Sequence, residues 1–145
     1  MTPALHGVCR INVWRGDRLV EAEVGENLVT AAGRDAWARL AVGSLATLVA
    51  DVGFGDGTAA PLATDTALAA ARIWRPVGTV DAPSAGVLRV AWSLPVGLIV
   101  DGALSEIGLR ASDGTLVARR VRATPIPMAP DVQLTGEWTI QLVEV

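Results

Sequence analysis

The sequence predicts an all-β domain, mainly antiparallel, with a jelly-roll-like sandwich form and one short α-helix near residues 31–42. Three observations predict it. Most of the chain alternates apolar and polar residues with a period of two. Gly, Asp and Pro recur between these runs where turns are needed. A single segment carries helical periodicity, which argues against βαβ units. At 145 residues the chain suits one domain, since domains commonly run ~100–150 residues, and residues 1–145 are read as one unit.

In order, HGVCRINVW places Cys9, Ile11 and Val13 on one strand face and Arg10, Asn12 and Trp14 on the other. RLVEAEV follows, with Val20, Ala22 and Val24 on one face and Glu21 and Glu23 on the other, read as the solvent face. Arg15-Gly16-Asp17 joins them as a hairpin turn. This hairpin, residues 6–24, is a candidate arm. The tripeptide invites a cell-adhesion reading, but turn formation accounts for it. Gly25-Glu26-Asn27 reads as a turn. The helix follows: Thr30 caps it, Trp37, Leu40 and Ala41 mark its buried stripe, and Gly43 stops it. Gly33 weakens its start, which places the onset near Arg34.

Further strands are expected at Thr47–Phe54, around Ile73 and Trp74, and at GVLRVAWSL, which is apolar on both faces. ALSEIGLRA and TLVARRVRA form a second hairpin about Ser112-Asp113-Gly114. Pro125 and Pro127 punctuate a loop. DVQLTGEWTIQLVEV closes the chain with Leu134, Trp138, Ile140 and Leu142 on one face. That gives seven to eight strands, with the first and last expected to pair.

Composition narrows the function. Hydrophobic residues make up 51% and charged residues 19%, against about 25% charged in an ordinary domain. Mean hydropathy is +0.42. The apolar runs are broken well short of the ~20 residues of a membrane span, so no membrane partner is expected. The opening MTPALHGVCR lacks the basic head and apolar run of a secretory signal. The 12 cations are all Arg, and net charge is −3, which does not suit nucleic acid.

The single Cys9 and the single His6 cannot build a zinc cluster or a Cys–His pair on one strand face. No catalytic residue, metal or cofactor is expected. The Gly-rich stretch GFGDGTAAP lacks the Lys and following helix of a phosphate loop, so Gly55-Asp56-Gly57 reads as a tight turn. Asp56 and Asp65 lack the spacing of a calcium loop.

Glu106 lies between apolar Leu104 and Ile107. A carboxylate buried there calls for an Arg partner or backbone hydrogen bonds. Arg119, Arg120 and Arg122 read either as a charged edge strand or as a contact to a partner's carboxylate. Of the five tryptophans, Trp37, Trp92 and Trp138 sit on apolar stripes and are assigned to the core. Trp14 with Arg15, and Trp74 with Arg75, are candidate interface anchors. They read equally well as packing on their own domain's edge, with a carbohydrate platform as a third reading.

Two blocks carry a family resemblance. One runs from Val52 to Pro61 as VGFGDGTAAP and continues as TDTAL to Leu68. The other is SEIGL, ending at Leu109, followed by Asp113-Gly114-Thr115-Leu116 and Ala118-Arg119. With Asn27-Leu28-Val29 and Gly33-Arg34 upstream and Trp138-Thr139-Ile140 at the end, they resemble a pattern of tailed-bacteriophage virion proteins, in tail-fibre and collar modules and small structural proteins. Its motif positions here are Gly55, Asp56, Gly57, Asp65, Glu106, Gly108, Asp113 and Gly114.

The resemblance implies a non-enzymatic part of a phage particle, assembled in the bacterial host cytoplasm. Fibre proteins carry such a module ahead of a much longer chain. Because this chain ends soon after it, the expectation is a stand-alone component, foremost a capsid decoration (cement) protein. Its partners would be itself, as a homotrimer or other homo-oligomer, and the major capsid protein or tail proteins. A tail, baseplate or fibre-attachment protein is the alternative, and a carbohydrate- or receptor-binding module the second.

Overall fold

A computed structural model of the chain describes residues 3–144. Nine strands and one helix follow in order: β1 Pro3–Arg15, β2 Arg18–Val29, α1 Ala31–Ala41, β3 Asp51–Gly55, β4 Ala71–Pro76, β5 Val80–Ser84, β6 Val87–Leu94, β7 Ala103–Arg110, β8 Leu116–Pro127 and β9 Val132–Glu144. Every pairing is antiparallel. The hydrogen-bonded order is one continuous sheet, β4-β3-β7-β8-β2-β1-β9-β6-β5. All-β is therefore what the chain forms. The pairing describes a single curled sheet, because β2 carries the ladder from one half to the other, and it does not by itself define a jelly roll.

The curl follows from how little of β2 meets β8. β2 pairs with β1 from Leu19 to Asn27, yet with β8 only at Leu28↔Arg119 and Val29↔Ala118. Beyond that short ladder the two halves part and fold toward each other. Cys9, Ile11, Val13, Val90, Trp92 and Trp138 from one half join Val52, Phe54, Ile107 and Leu109 from the other in one buried cluster. Phe54 meets Trp92 edge to face, with ring centroids 5.4 Å apart, a favoured aromatic geometry. β1 pairs with β9 from Pro3 to Arg15 as well as with β2. The expected first–last pairing is present, and the 6–24 hairpin is built into the sheet.

The helix begins at Ala31, earlier than Gly33 suggested. Thr30 is buried and serves two ends: its hydroxyl accepts from Gly33 N at 2.9 Å and donates to Leu116 O at 2.6 Å. Gly33 is the point of closest approach to β8. A Cβ there would lie 2.4 Å from Val117 O. The helix thus buries its small residues Gly33 and Ala36, with Leu40 of the expected stripe partly buried against the core. Trp37 is 44% exposed, which corrects its assignment to the core. Trp92 and Trp138 are core as expected.

Three further expectations are corrected. The strand expected at Thr47–Phe54 starts only at Asp51, because Thr47 is engaged with Ser112 of the β7–β8 turn. Gly25-Glu26-Asn27 is strand, not turn. β8 is flanked by β7 and β2, so Arg119, Arg120 and Arg122 are not on an edge strand; β4 and β5 are the outermost strands of the order.

Gly33→Ala checks the helix seat. In an open helix interior this change gains about 1 kcal/mol. Here it is expected to cost ~1–3 kcal/mol in denaturant unfolding, as overpacking does. A stabilised variant would show that α1 does not lie against β8 as described.

Candidate functional site

The two resemblance blocks, about 50 residues apart in the chain, meet on the outer face of β3, β7 and β8. Register places Gly55 opposite Glu106 and Gly53 opposite Gly108, while Gly108 also faces Arg119. The missing side chains leave a hollow on that face, and the 56–70 loop settles into it. Glu106 is fully buried. Its carboxylate accepts from Gly57 N at 3.3 Å, Ala69 N at 2.9 Å and Ala70 N at 2.7 Å. It also pairs with Arg119 at 2.9 Å, and Arg119 reaches Asp65 at 3.0 Å. Asp65 in turn accepts from Leu62 N at 2.9 Å. A Cβ on Gly55 or Gly57 would collide with Glu106 Oε1, at 2.5 and 2.7 Å. The glycines therefore make room for the carboxylate. Leu68 covers Gly108.

Gly55, Gly57, Asp65, Glu106, Gly108 and Arg119 are one cluster. Both options for Glu106, an Arg partner and backbone donors, are realised together. Asp56 lies next to the cluster in the chain but is exposed. Asp113 and Gly114 are elsewhere, in the β7–β8 turn. There Asp113 accepts from Arg39 of α1 at 2.8 Å and from Thr115 N at 3.0 Å, while Gly114 takes a φ of +89°. These bonds, Arg39 first, hold the Asp113 carboxyl at about 2, below its ordinary 3.8.

Arg120 and Arg122 are nearly as buried as Arg119. They bridge the gap where β2 and β8 part. Arg120 donates to Cys9 O at 2.8 Å and pairs with Glu23. Arg122 pairs with Glu21 at 2.5 Å and with Glu23 at 3.2 Å. Register puts Glu21 and Glu23 opposite Val13 and Ile11, on the face that points between the two halves. The solvent-face assignment of these acids is corrected as to sheet face, although the Glu21 side chain is still 46% exposed; Val24 on the opposite face is exposed as well. The three arginines, offered by the sequence as interface contacts, are thus buried and paired within the chain. Cys9 lies under this seam, and burial pushes its thiol up to about 12, so it is inert at neutral pH.

The remaining candidates are separate. Trp14 is half-buried and donates through its indole to Thr135 Oγ1 at 2.9 Å. Arg15 is exposed and pairs with Asp131 at 3.3 Å. Trp74 lies on the outermost strand β4, with the Arg110 guanidinium 4.4 Å from its ring centroid. Arg110 is held by Asp51 at 2.9 Å, a stack the sequence did not reveal. Arg75, next to Trp74, has a buried Nε.

A cleft lined by apolar residues, which sequence reasoning also missed, opens between α1, the β5–β6 hairpin and the end of β9. Its volume is about 590 Å³, and a second lobe of about 380 Å³ adjoins it. Among the described residues no group of three or more His, Cys, Asp or Glu is placed to hold a metal, and no helix is long and apolar enough to cross a membrane. Comparison with family models, curated proteins and solved structures returns no match.

Two measurements test these pairs. Glu106→Gln removes one charge of a buried pair and is expected to cost ~3–5 kcal/mol. Amide exchange at Gly57, Ala69 and Ala70 should accelerate before that elsewhere; uniform acceleration would mean that Glu106 does not hold the loop. For Asp113, NMR titration should give a midpoint near 2. In Arg39→Gln the midpoint should rise toward 3.8 but stop short of it, since Thr115 still donates. A carboxyl depressed in this way stabilises the fold above its unfolded value, and that contribution is lost as pH falls through about 2. An unchanged midpoint in Arg39→Gln would reject the contact.

Proposed function

We propose that this chain is a structural protein of a tailed-phage particle, foremost a capsid decoration protein that stabilises the head through contacts between subunits. The observation that carries the proposal is the Glu106–Arg119–Asp65 cluster. Five of the eight motif positions of the phage-like resemblance, Gly55, Gly57, Asp65, Glu106 and Gly108, gather with Arg119 into one loop clamp, so this part of the motif reads as an architectural device. That suits a component whose task is to hold shape. The surface fits the same role. Eight of the twelve arginines are engaged in ion pairs within the chain, while Trp37, Leu62, Val96 and Leu98 stand exposed. A lattice of repeated modest contacts then sums to a stable shell.

The same features serve a tail, baseplate or fibre-attachment protein, which is the second reading. Trp74 on its outermost strand keeps a carbohydrate-binding module as the third.

Mixing the purified chain with empty capsids and with tail tubes, followed by cryo-EM, separates these readings. Regular density on the heads is the expected result. Binding to tails alone would move the assignment to the second reading. Binding to neither would overturn both, and glycan binding abolished by Trp74→Ala would establish the third.

A further inference from the structure

The geometry points to the cleft beside Trp37 as a binding site for a small, uncharged, mainly hydrocarbon molecule. The hollow is held open by the fold itself. On one side α1 is seated on β8. Thr30 N donates to Val117 O at 3.0 Å and the Thr30 hydroxyl to Leu116 O at 2.6 Å. In the last turn of the helix Arg39 pairs with Asp113 at 2.8 Å. On the other side the tip of the β5–β6 hairpin is fixed to β9, where Leu142 N donates to Gly86 O at 2.9 Å. Neither wall is free to close the gap. Both contribute small residues to the lining, Gly33 from the helix and Ala82, Ala85 and Gly86 from the hairpin, so no side chain fills it. The floor is core: Val29 and Val117 are each 2% exposed. Interiors elsewhere are close-packed, and an apolar hollow of about 590 Å³ forfeits contacts that its walls would make with an occupant.

Three features select the class of occupant. The first is size. The volume falls within the ~300–1,000 Å³ of small-molecule sites. A stable protein partner needs roughly 800 Å² from each side, far more than the exposed rim of this cleft offers. The second is charge. No charged residue lines either lobe among the described residues, and the only hydroxyl side chains there are Ser84 in the larger and Thr47 in the smaller. An ion would lose its hydration there without a counter-charge, and ordered water would lack the several polar partners it needs. Hydrocarbon gains by leaving water. The third is shape. The lobes share Trp37, Leu48 and Leu88, so the hollow is continuous. An elongated molecule can run from one lobe to the other past the indole.

This inference rests on the cleft and does not require the virion reading. A chain that takes up such a molecule yet binds no particle component keeps the one and loses the other.

Titration of the full chain with N-phenyl-1-naphthylamine, an uncharged fluorescent dye, is the test. The expected result is saturable uptake of a single dye per chain, displaced by dodecan-1-ol. Trp37→Arg places a cation where the two lobes join, and Ala85→Trp fills the larger one. Each should weaken uptake at least ~10-fold. Both residues are exposed, so the melting temperature should stay in place; if Ala85→Trp unfolds the chain, Trp37→Arg decides. Anionic anilinonaphthalene sulfonate should bind at least ~10-fold more weakly than the neutral dye. No saturable uptake, uptake of many dyes per chain, or uptake indifferent to Trp37→Arg would each overturn the proposal. Uptake confined to a sedimenting dimer would overturn it too and assign the cleft to a protein contact.

Discussion

The arrangement depends most on a charge placed where charge is costly. Glu106 is removed from water on the outer face of a sheet, under a loop. Taking such a carboxylate out of solvent costs several kcal/mol unless its surroundings replace the lost water. Here three backbone N–H groups and the Arg119 guanidinium replace it. The result is strict, because each donor must be in place for the others to suffice. A loop of small residues such as Ala59, Ala60, Ala63 and Ala67 has little apolar area with which to choose one conformation. The carboxylate chooses for it. Such a cluster adds modestly to net stability but discriminates strongly among loop conformations, since every misplacement leaves a buried ion unmatched.

The same constraint shapes the seam between the halves. An uninterrupted ladder between β2 and β8 would flatten the sheet and leave its apolar face without a partner. The ladder is instead two residue pairs long, and Arg120 and Arg122 continue the connection with side chains that reach farther than a backbone hydrogen bond. The halves can then diverge enough to enclose Phe54, Trp92 and Trp138 while remaining tied. Glu21 and Glu23, on the sheet face of Ile11 and Val13, are the counterpart of that solution. Inward charges are also a recognised way of making a free strand edge unattractive to other chains.

Much of this was legible in the sequence. Glu106 stood out because apolar residues flank it on both sides, so burial and the need for a partner followed from local pattern. The capping Thr30, the stop at Gly43 and the pairing of distant strands were read from residue chemistry that acts locally or from strand periodicity. What failed has a common physical origin. A period of two sorts residues into two faces but does not say which face is inside. Glu21 and Glu23 were therefore sent to solvent and Val24 inward. Three arginines in four residues signal polarity without showing that acids wait on another strand. Helical periodicity likewise found the side of α1 that carries Trp37. The side that packs was decided by Gly33 and Ala36, whose smallness permits an approach that no hydrophobicity pattern encodes.

These misreadings share a direction, and it bears on the scarcity of charge. With 19% charged residues the chain has little to spend on solvation, and of the eight arginines paired within the chain three, Arg119, Arg120 and Arg122, are buried. Apolar side chains assigned to the interior by pattern, Trp37 and Val24 among them, stand at the surface. Four charged side chains, Glu106, Arg119, Arg120 and Arg122, are buried while these apolar ones are exposed. For a monomer that exchange is unfavourable twice over, through desolvated ions and hydrated apolar area. The first term is met within the chain, by matched partners around Glu106 and along the seam. The second is not met within the chain, because the cleft beside α1 is bordered by the end of β9 and by the outermost strand β5, with no further strand to close over it.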